Sequence, residues 1–123
     1  MEDNRYRVGN RILSGVVIVD DAGNLVSSFG QSLPSSIGNG EKDVATSGSA
    51  VPLVATSTSC VDVLIQSKND NTGNIYVGGG SVSSSNGVCL YPSESIAINI
   101  DNLDEIYIDS SVSGEGVVFT YTS

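Results

Sequence analysis

The residues of this chain that could carry acid–base chemistry are carboxylates, because the 123-residue sequence contains no histidine. The densest group consists of Asp101, Asp104, Glu105 and Asp109. Two such side chains held close together could act as general acid and base in a small hydrolase, or could ligate calcium through their oxygen atoms. A solvated acidic turn accounts for the same residues, and it is the interpretation that we prefer.

A second possible calcium site is the segment from Asn69 to Asn74, which contains Asp70. The EF-hand pattern requires a carboxylate at its first position and glycine at its sixth. Placing Gly73 at the sixth position puts Lys68 at the first, so the pattern fails. Asn, Asp and Gly between two apolar runs are typical of a hairpin connection, which we predict here. We therefore expect no metal and no other cofactor.

Nucleophilic and phosphate chemistry also lack support in the sequence. A nucleophilic serine needs a base beside it, and Lys42 and Lys68 stand alone in polar segments. The run Gly78-Gly79-Gly80 is followed by neither a lysine nor a helical pattern, unlike a phosphate-binding loop. The prediction is that the chain is not an enzyme and takes no small-molecule ligand.

Cys60 and Cys89 are the two cysteines, and both lie in apolar stretches. This placement indicates buried thiols that act as small hydrophobic side chains. Two cysteines without histidine cannot supply the four ligands of a structural zinc ion. We expect both thiols to be reduced, since the charged start of the sequence does not resemble an export signal.

The charge is strongly negative and unevenly distributed. The net charge is −9, yet residues 1–11 carry Arg5, Arg7 and Arg11 against two acids. An acidic surface repels nucleic acid, and the longest apolar run, residues 16–19, is far shorter than the about 20 residues that span a bilayer. We expect neither nucleic acid nor membrane as a partner. The basic N-terminal arm could bind an acidic partner or another copy, or could be a solvated terminus.

The elements that must position these residues are short strands, because apolar residues alternate with smaller or polar ones and no helical period runs through the sequence. The predicted strands are 50–55, 61–66, 75–77, 88–91, 95–100, 106–108 and 117–122. Their close spacing predicts an all-β fold, a small antiparallel β-sandwich or barrel of jelly-roll type.

The sequence divides into three predicted regions. Residues 1–30 form an N-terminal arm and β-hairpin, with strand-like segments joined by a turn at 20–24. This hairpin either grips a partner or joins the sandwich. Residues 31–48 hold few apolar side chains and are predicted to be a linker or long loop. Residues 49–123 form the β-sandwich domain.

Over about residues 46–122 the chain resembles a group of small virion proteins of tailed bacteriophages. Four spaced motifs carry this resemblance, and none of them is a chemical motif. The matching residues are Lys68, Asn71-Thr72-Gly73, Ile75-Tyr76-Val77-Gly78-Gly79, Ser83, Asn86-Gly87, Leu103, Ile106-Tyr107-Ile108 and Gly114-Glu115-Gly116-Val117.

The resemblance implies a structural protein on the capsid exterior, of the decoration or cement type, that assembles in the host cytoplasm. Such proteins are small, β-rich and often trimeric, and a terminal arm lies on the shell. The partner would be the major capsid protein, and a homotrimer is expected. The residues expected to bind the capsid are those of the basic arm: Arg5, Tyr6, Arg7 and Arg11.

The alternative function is a head- or tail-fibre component that binds a host surface glycan. Exposed aromatic rings would stack on the sugar, and Tyr76 and Tyr107 are candidates because they alternate with core-facing residues in predicted strands.

Overall fold

Eight β-strands and one short 3₁₀ turn make up the regular structure of residues 33–123, which are the residues that the computed structural model describes. The strands are β1 Ile37–Asp43, β2 Val51–Pro52, β3 Asp62–Ser67, β4 Ile75–Gly78, β5 Val88–Leu90, β6 Ser95–Asn99, β7 Tyr107–Ser110 and β8 Gly116–Thr122. The 3₁₀ turn, Leu103–Glu105, lies between β6 and β7.

The strands pair as one long antiparallel hairpin that is rolled up. Its nested pairs are β4 with β5, β3 with β6, β2 with β7 and β1 with β8. Rolling brings β8 beside β3 and β7 beside β4. Two four-stranded sheets result, sheet one in the order β1-β8-β3-β6 and sheet two in the order β2-β7-β4-β5. This is the jelly-roll arrangement, so the predicted all-β, jelly-roll-like sandwich is confirmed.

The core lies between the two sheets and is built by strict alternation along the strands. In β3 the side chains of Val63 and Ile65 are buried, whereas the intervening Leu64 is 49% exposed. Sheet two contributes Ile75 and Ile108, both fully buried. Burying a side chain of this size stabilises the fold by about 1.5–3 kcal/mol relative to leaving it in water.

The prediction of a linker or long loop over residues 31–48 is wrong for its middle part, which forms the first strand. Ile37–Asp43 forms β1, and the compact unit that contains the sandwich begins at Pro34. The core-facing positions of β1 include Gly38 and Gly40, which carry no apolar side chain. Aromatic rings of the neighbouring strand fill this space instead, since a Cβ added at Gly40 would lie 2.7 Å from Cζ of Phe119.

The segment between β3 and β4 does not form the predicted hairpin. A hairpin over residues 69–74 would pair these two strands with each other, but β3 belongs to sheet one and β4 to sheet two. The segment therefore crosses from one sheet to the other. The hairpin of this region instead joins β4 to β5 through the polar loop of residues 79–87.

The two ends of the described body lie side by side. The backbone N–H groups of Ser35 and Ser36 both donate to the carbonyl oxygen of Ser123, at 2.8 and 2.9 Å. Ser123 donates in turn to the carbonyl oxygen of Ser36. The predicted arm and hairpin of residues 1–30 lie outside the described residues.

We predict that two neighbouring residues of β3 respond very differently to truncation. Ile65→Ala should lower the free energy of unfolding by about 2–5 kcal/mol, because it leaves a cavity in the core. Leu64→Ala, one residue away on the outer face, should cost about 0.5 kcal/mol. Urea unfolding of both variants measures the difference. Equal losses would contradict the assignment of the two faces.

Candidate functional site

Two of the four motifs that carry the phage resemblance meet at one corner of the sandwich, where the β3–β4 segment contacts the β7–β8 turn. The carboxylate of Glu115 accepts hydrogen bonds from the backbone N–H of Thr72 at 2.7 Å and of Gly73 at 2.9 Å. It also accepts one from the hydroxyl of Thr72. The backbone N–H donors, that of Thr72 first, lower the pKa of Glu115 below its ordinary value of 4.5.

The same corner contains a buried amide. The Nδ2 group of Asn71 donates to Oγ of Ser67 at 2.9 Å and to the carbonyl oxygen of Gly116 at 2.8 Å. The backbone N–H of Lys68 donates to that same carbonyl at 3.1 Å. Gly116 has no room for a side chain, because an added Cβ would lie 2.0 Å from the carbonyl oxygen of Lys42.

These contacts give the K-x-x-N-T-G and G-E-G-V motifs a structural role. Asn71, Thr72 and Gly73 from the first motif hold Glu115 and Gly116 from the second, and the pairing of β3 with β8 begins at this corner. Within the corner, the amide of Asn71 and the carboxylate of Glu115 are both engaged in hydrogen bonds to backbone groups. These two motifs therefore hold the β3–β4 segment against the start of β8.

Lys68 anchors the corner to β1. Its Nζ donates to Oε1 of Glu41 at 2.6 Å and to Oδ1 of Asp43 at 2.7 Å. The ion pair with Asp43, followed by that with Glu41, raises the pKa of Lys68 above its ordinary value of 10.5. Lys68 is thus a paired surface cation, and the expectation that both lysines stand alone is wrong for it.

Of the four candidate carboxylates, Asp101, Asp104 and Glu105 stay near one another, whereas Asp109 is directed elsewhere. The Oδ1 atom of Asp109 accepts from the N–H of Gly48 at 2.9 Å and from that of Ser110 at 2.7 Å, and the residue is buried. Asp101 and Glu105 are exposed, and the negative charge of Asp101 raises the pKa of Glu105. The part of the chain that the structure describes contains no cluster of three potential metal ligands.

The two cysteines occupy different environments. Cys60 is buried, its Sγ donates to the carbonyl oxygen of Ile100 at 3.0 Å, and burial raises the pKa of the thiol. Cys89 lies in the edge strand β5 and is exposed. The prediction of a buried thiol is therefore wrong for Cys89, because its side chain points to the outer face of sheet two. Both thiols are free.

The predicted tyrosine platforms are only partly accessible. Tyr76 and Tyr107 point to the outer face of sheet two, as their alternation with Ile75 and Ile108 predicts, but both are half-buried. Tyr91, which follows β5, is 57% exposed and is the more open ring.

The outer face of sheet one carries an uncharged row of side chains. Its central row runs Asn39, Thr120, Leu64 and Ala97 across the four strands. Val118 lies in the next row and is 40% exposed. The alternation that buries Val63 and Ile65 also exposes Leu64, and this is the signal in the sequence that could have identified the surface.

A cleft of about 360 Å³ opens beside β1. Leu53, Leu103, Phe119 and Tyr121 contribute apolar side chains to its wall. Glu41 and Lys42 are the charged residues of its lining. The cleft can accept apolar side chains, but this lining does not hold the pair of carboxylates that acid–base catalysis would use.

The residues predicted to bind the capsid, Arg5, Tyr6, Arg7 and Arg11, lie outside the described residues. Within residues 33–123 the structure contains no helix that is long and apolar enough to cross a membrane. No protein-family model, curated protein or solved structure matches the chain.

We predict that the corner depends on the amide of Asn71. Asn71→Asp replaces a buried donor with an acceptor that faces the carbonyl of Gly116, and should lower the free energy of unfolding by about 3 kcal/mol. The matched control is Asn69→Asp in the same segment, where the side chain is exposed and the change should stay within about 0.5 kcal/mol. Denaturant unfolding compares the two; similar losses would mean that the buried amide is not important.

Glu115 should make stability depend on pH. Because folding lowers its pKa, its contribution is complete above about pH 4.5 and is lost as the pH falls through the lower folded value. Glu115→Gln should therefore reduce Tm at pH 7, and its difference from the native chain should shrink towards pH 3. Asp70→Asn, which removes an exposed charge from the same loop, serves as the control. A difference that persists unchanged in acid would contradict this role.

Proposed function

We propose that this chain is a non-enzymatic structural protein of a tailed-phage virion that decorates and stabilises the capsid exterior. The observation that supports this proposal best is the outer face of sheet one. It is a continuous four-stranded surface whose central row is uncharged and which exposes Leu64 and Val118. Jelly rolls of this kind occur in viral capsid domains and also in lectins.

The chemistry of this face suits contact with another protein. Aliphatic Leu64 and Val118 lie on the two central strands, whereas the carboxylates stand at the margins: Glu41 opposite Val118 on the edge strand β1, and Asp43 and Asp62 in the outer rows. An apolar centre with a polar rim is the usual anatomy of a protein interface. Short side chains on rigid strands also lose little conformational entropy when they are covered.

The charge of the body supports a role in a crowded assembly. Residues 34–123 contain ten acids against Lys42 and Lys68, and Lys68 is already paired with two of them. Like-charged bodies stay soluble and avoid unspecific association before they reach the shell. The basic arm with Arg5, Arg7 and Arg11 provides complementary charge for an acidic partner.

The structural role of the motifs fits the same proposal. Two of the four motifs that carry the resemblance build the corner of the roll, so the likeness to phage virion proteins would reflect a shared body rather than a shared reaction. A decoration protein requires such a body and a contact surface, and needs no catalytic group.

The copy number in purified particles tests the proposed location. Quantitative mass spectrometry, scaled to the major shell protein, should find the chain in numbers comparable to the shell lattice. A handful of copies would instead favour the vertex or tail location and the glycan-binding alternative, for which Tyr91 would be the first residue to change. Absence from the particle would overturn the proposal.

We predict that charge on the outer face prevents binding to the shell. Leu64→Asp combined with Val118→Asp introduces two carboxylates into the proposed contact and should reduce binding to particles that lack the protein by more than about tenfold, or about 1.4 kcal/mol. Val88→Asp, on the edge strand β5, is the control because Val88 is equally exposed but lies on sheet two. Unchanged binding of the double variant would exclude this face.

The arm makes a separate contribution in this proposal. Replacing Arg5, Arg7 and Arg11 by Ser in the full chain should weaken shell binding, and more so at low salt, where charge attraction is least screened. Binding that is independent of these arginines would remove the arm from the mechanism while leaving the outer face as the contact.

A further inference from the structure

Within residues 33–123 the two sheets have four edge strands, and three of them carry features that prevent pairing with another chain. β1 ends in the charged run Glu41-Lys42-Asp43. β2 is two residues long and contains Pro52, and β5 is three residues long. The fourth edge strand, β6, has the sequence Ser-Ile-Ala-Ile-Asn, with neither charge nor proline.

The backbone groups of β6 that face outward can be identified from its pairing with β3. Ser67 donates to the carbonyl of Glu94, and Ile100 donates to the carbonyl of Val61. In an antiparallel pair every second residue bonds to the neighbouring strand, so the even-numbered residues of β6 face β3. The N–H and C=O groups of Ser95, Ala97 and Asn99 therefore point away from it.

The core-facing residues of β6 are also incompletely covered. Ile96 and Ile98 pack against the core but remain partly exposed, unlike Val63 and Ile65 on the adjacent strand. Within residues 33–123, β6 has a strand neighbour on one side only. A strand added at this edge would both satisfy the outward backbone groups and bury the two isoleucines further.

We propose that β6 pairs antiparallel with β6 of a second copy of this chain, with Ala97 on the two-fold axis. In this register Ser95 lies opposite Asn99 of the second copy, and all three outward-facing residues form hydrogen-bonded pairs. Ile96 lies opposite Ile98 of the second copy on the core side. The strand is thus complementary to itself, as a two-fold interface requires.

The charges next to the strand are compatible with this pairing. Glu94 and Asp101 flank β6, and the register places them opposite Ile100 and Ser93 of the second copy. No two carboxylates therefore face each other across the axis. The side chains that do meet there are the small methyl groups of Ala97. Two-fold pairing occupies the β6 edge of both copies, so the assembly closes at the dimer and does not extend into a fibre.

Cross-linking in solution tests the two-fold axis directly and does not depend on the proposed function. The full chain would carry Ala97→Cys and Cys89→Ser, which removes the exposed native thiol. Directly opposite residues in a hydrogen-bonded pair have Cα atoms about 5.5 Å apart, within the range of a disulfide. Mild oxidation should convert most of this variant to a covalent dimer. The control is Leu64→Cys in the same background, because the side chain of Leu64 is exposed but does not lie on the edge strand. This variant should run as a monomer on denaturing gels without reducing agent.

The register is tested by mixing single variants. Ser95→Cys should not cross-link with itself but should do so when mixed with Asn99→Cys, each in the Cys89→Ser background. Cross-linking of Ser95→Cys with itself would overturn the proposed register, and failure of Ala97→Cys to cross-link would overturn the pairing.

Mass measurement provides an independent readout. Sedimentation equilibrium of the unmodified chain should give twice the 12.7 kDa of one copy. Ala97→Pro removes the outward N–H without touching a bond to β3 and should shift the mass to that of one copy, whereas Ala97→Ser should not. Circular dichroism confirms that the proline variant folds. A native mass of one copy, or of the three copies that the phage resemblance implies, would overturn the proposal.

Discussion

The whole roll depends on the carbonyl oxygen of Gly116, which receives two hydrogen bonds from the segment after β3. The donors are the backbone of Lys68 and the buried amide of Asn71. Nested hairpins alone would leave β8 beside β1 only, and these two bonds stand at the start of the ladder that also pairs β8 with β3. Because the amide is buried, its hydrogen bonds have no competition from water, and losing them would expose an unsatisfied group to the core.

The elements that sequence could predict are those in which hydropathy alternates. β3, β6 and β8 place Val, Ile and Phe at every second position, and the sandwich class follows from them. The alternation of hydropathy does not reveal β1, because its core-facing positions include glycines. The apolar contacts at these positions come from the rings of Phe119 and Tyr121, which are more than 70 residues away in the sequence. The hairpin prediction for residues 69–74 is wrong for another reason. The same Asn and Gly residues occur both in turns within a sheet and in segments that cross between sheets.

The candidate site illustrates the same limit at the level of side chains. Proximity in sequence grouped Asp109 with Asp101, Asp104 and Glu105, yet strand alternation directs Asp109 to the backbone of Gly48. Spacing also singled out the motif around Asn71 without showing what it binds, since its partner Glu115 is 43 residues away along the chain from Thr72. Conversely, the exposure of Leu64 was visible in the alternation, and only the sheet register shows which neighbours extend it into a surface.

The hydrogen bonds that join Ser35 and Ser36 to Ser123 bring the two ends of the described body next to each other. A short bridge from Ser123 back to Pro34 would leave every strand pair in place, so the polypeptide could be opened at an exposed loop and still encode the same roll. For engineering, this adjacency means that cargo attached behind Ser123 will emerge beside Ser35 and Ser36.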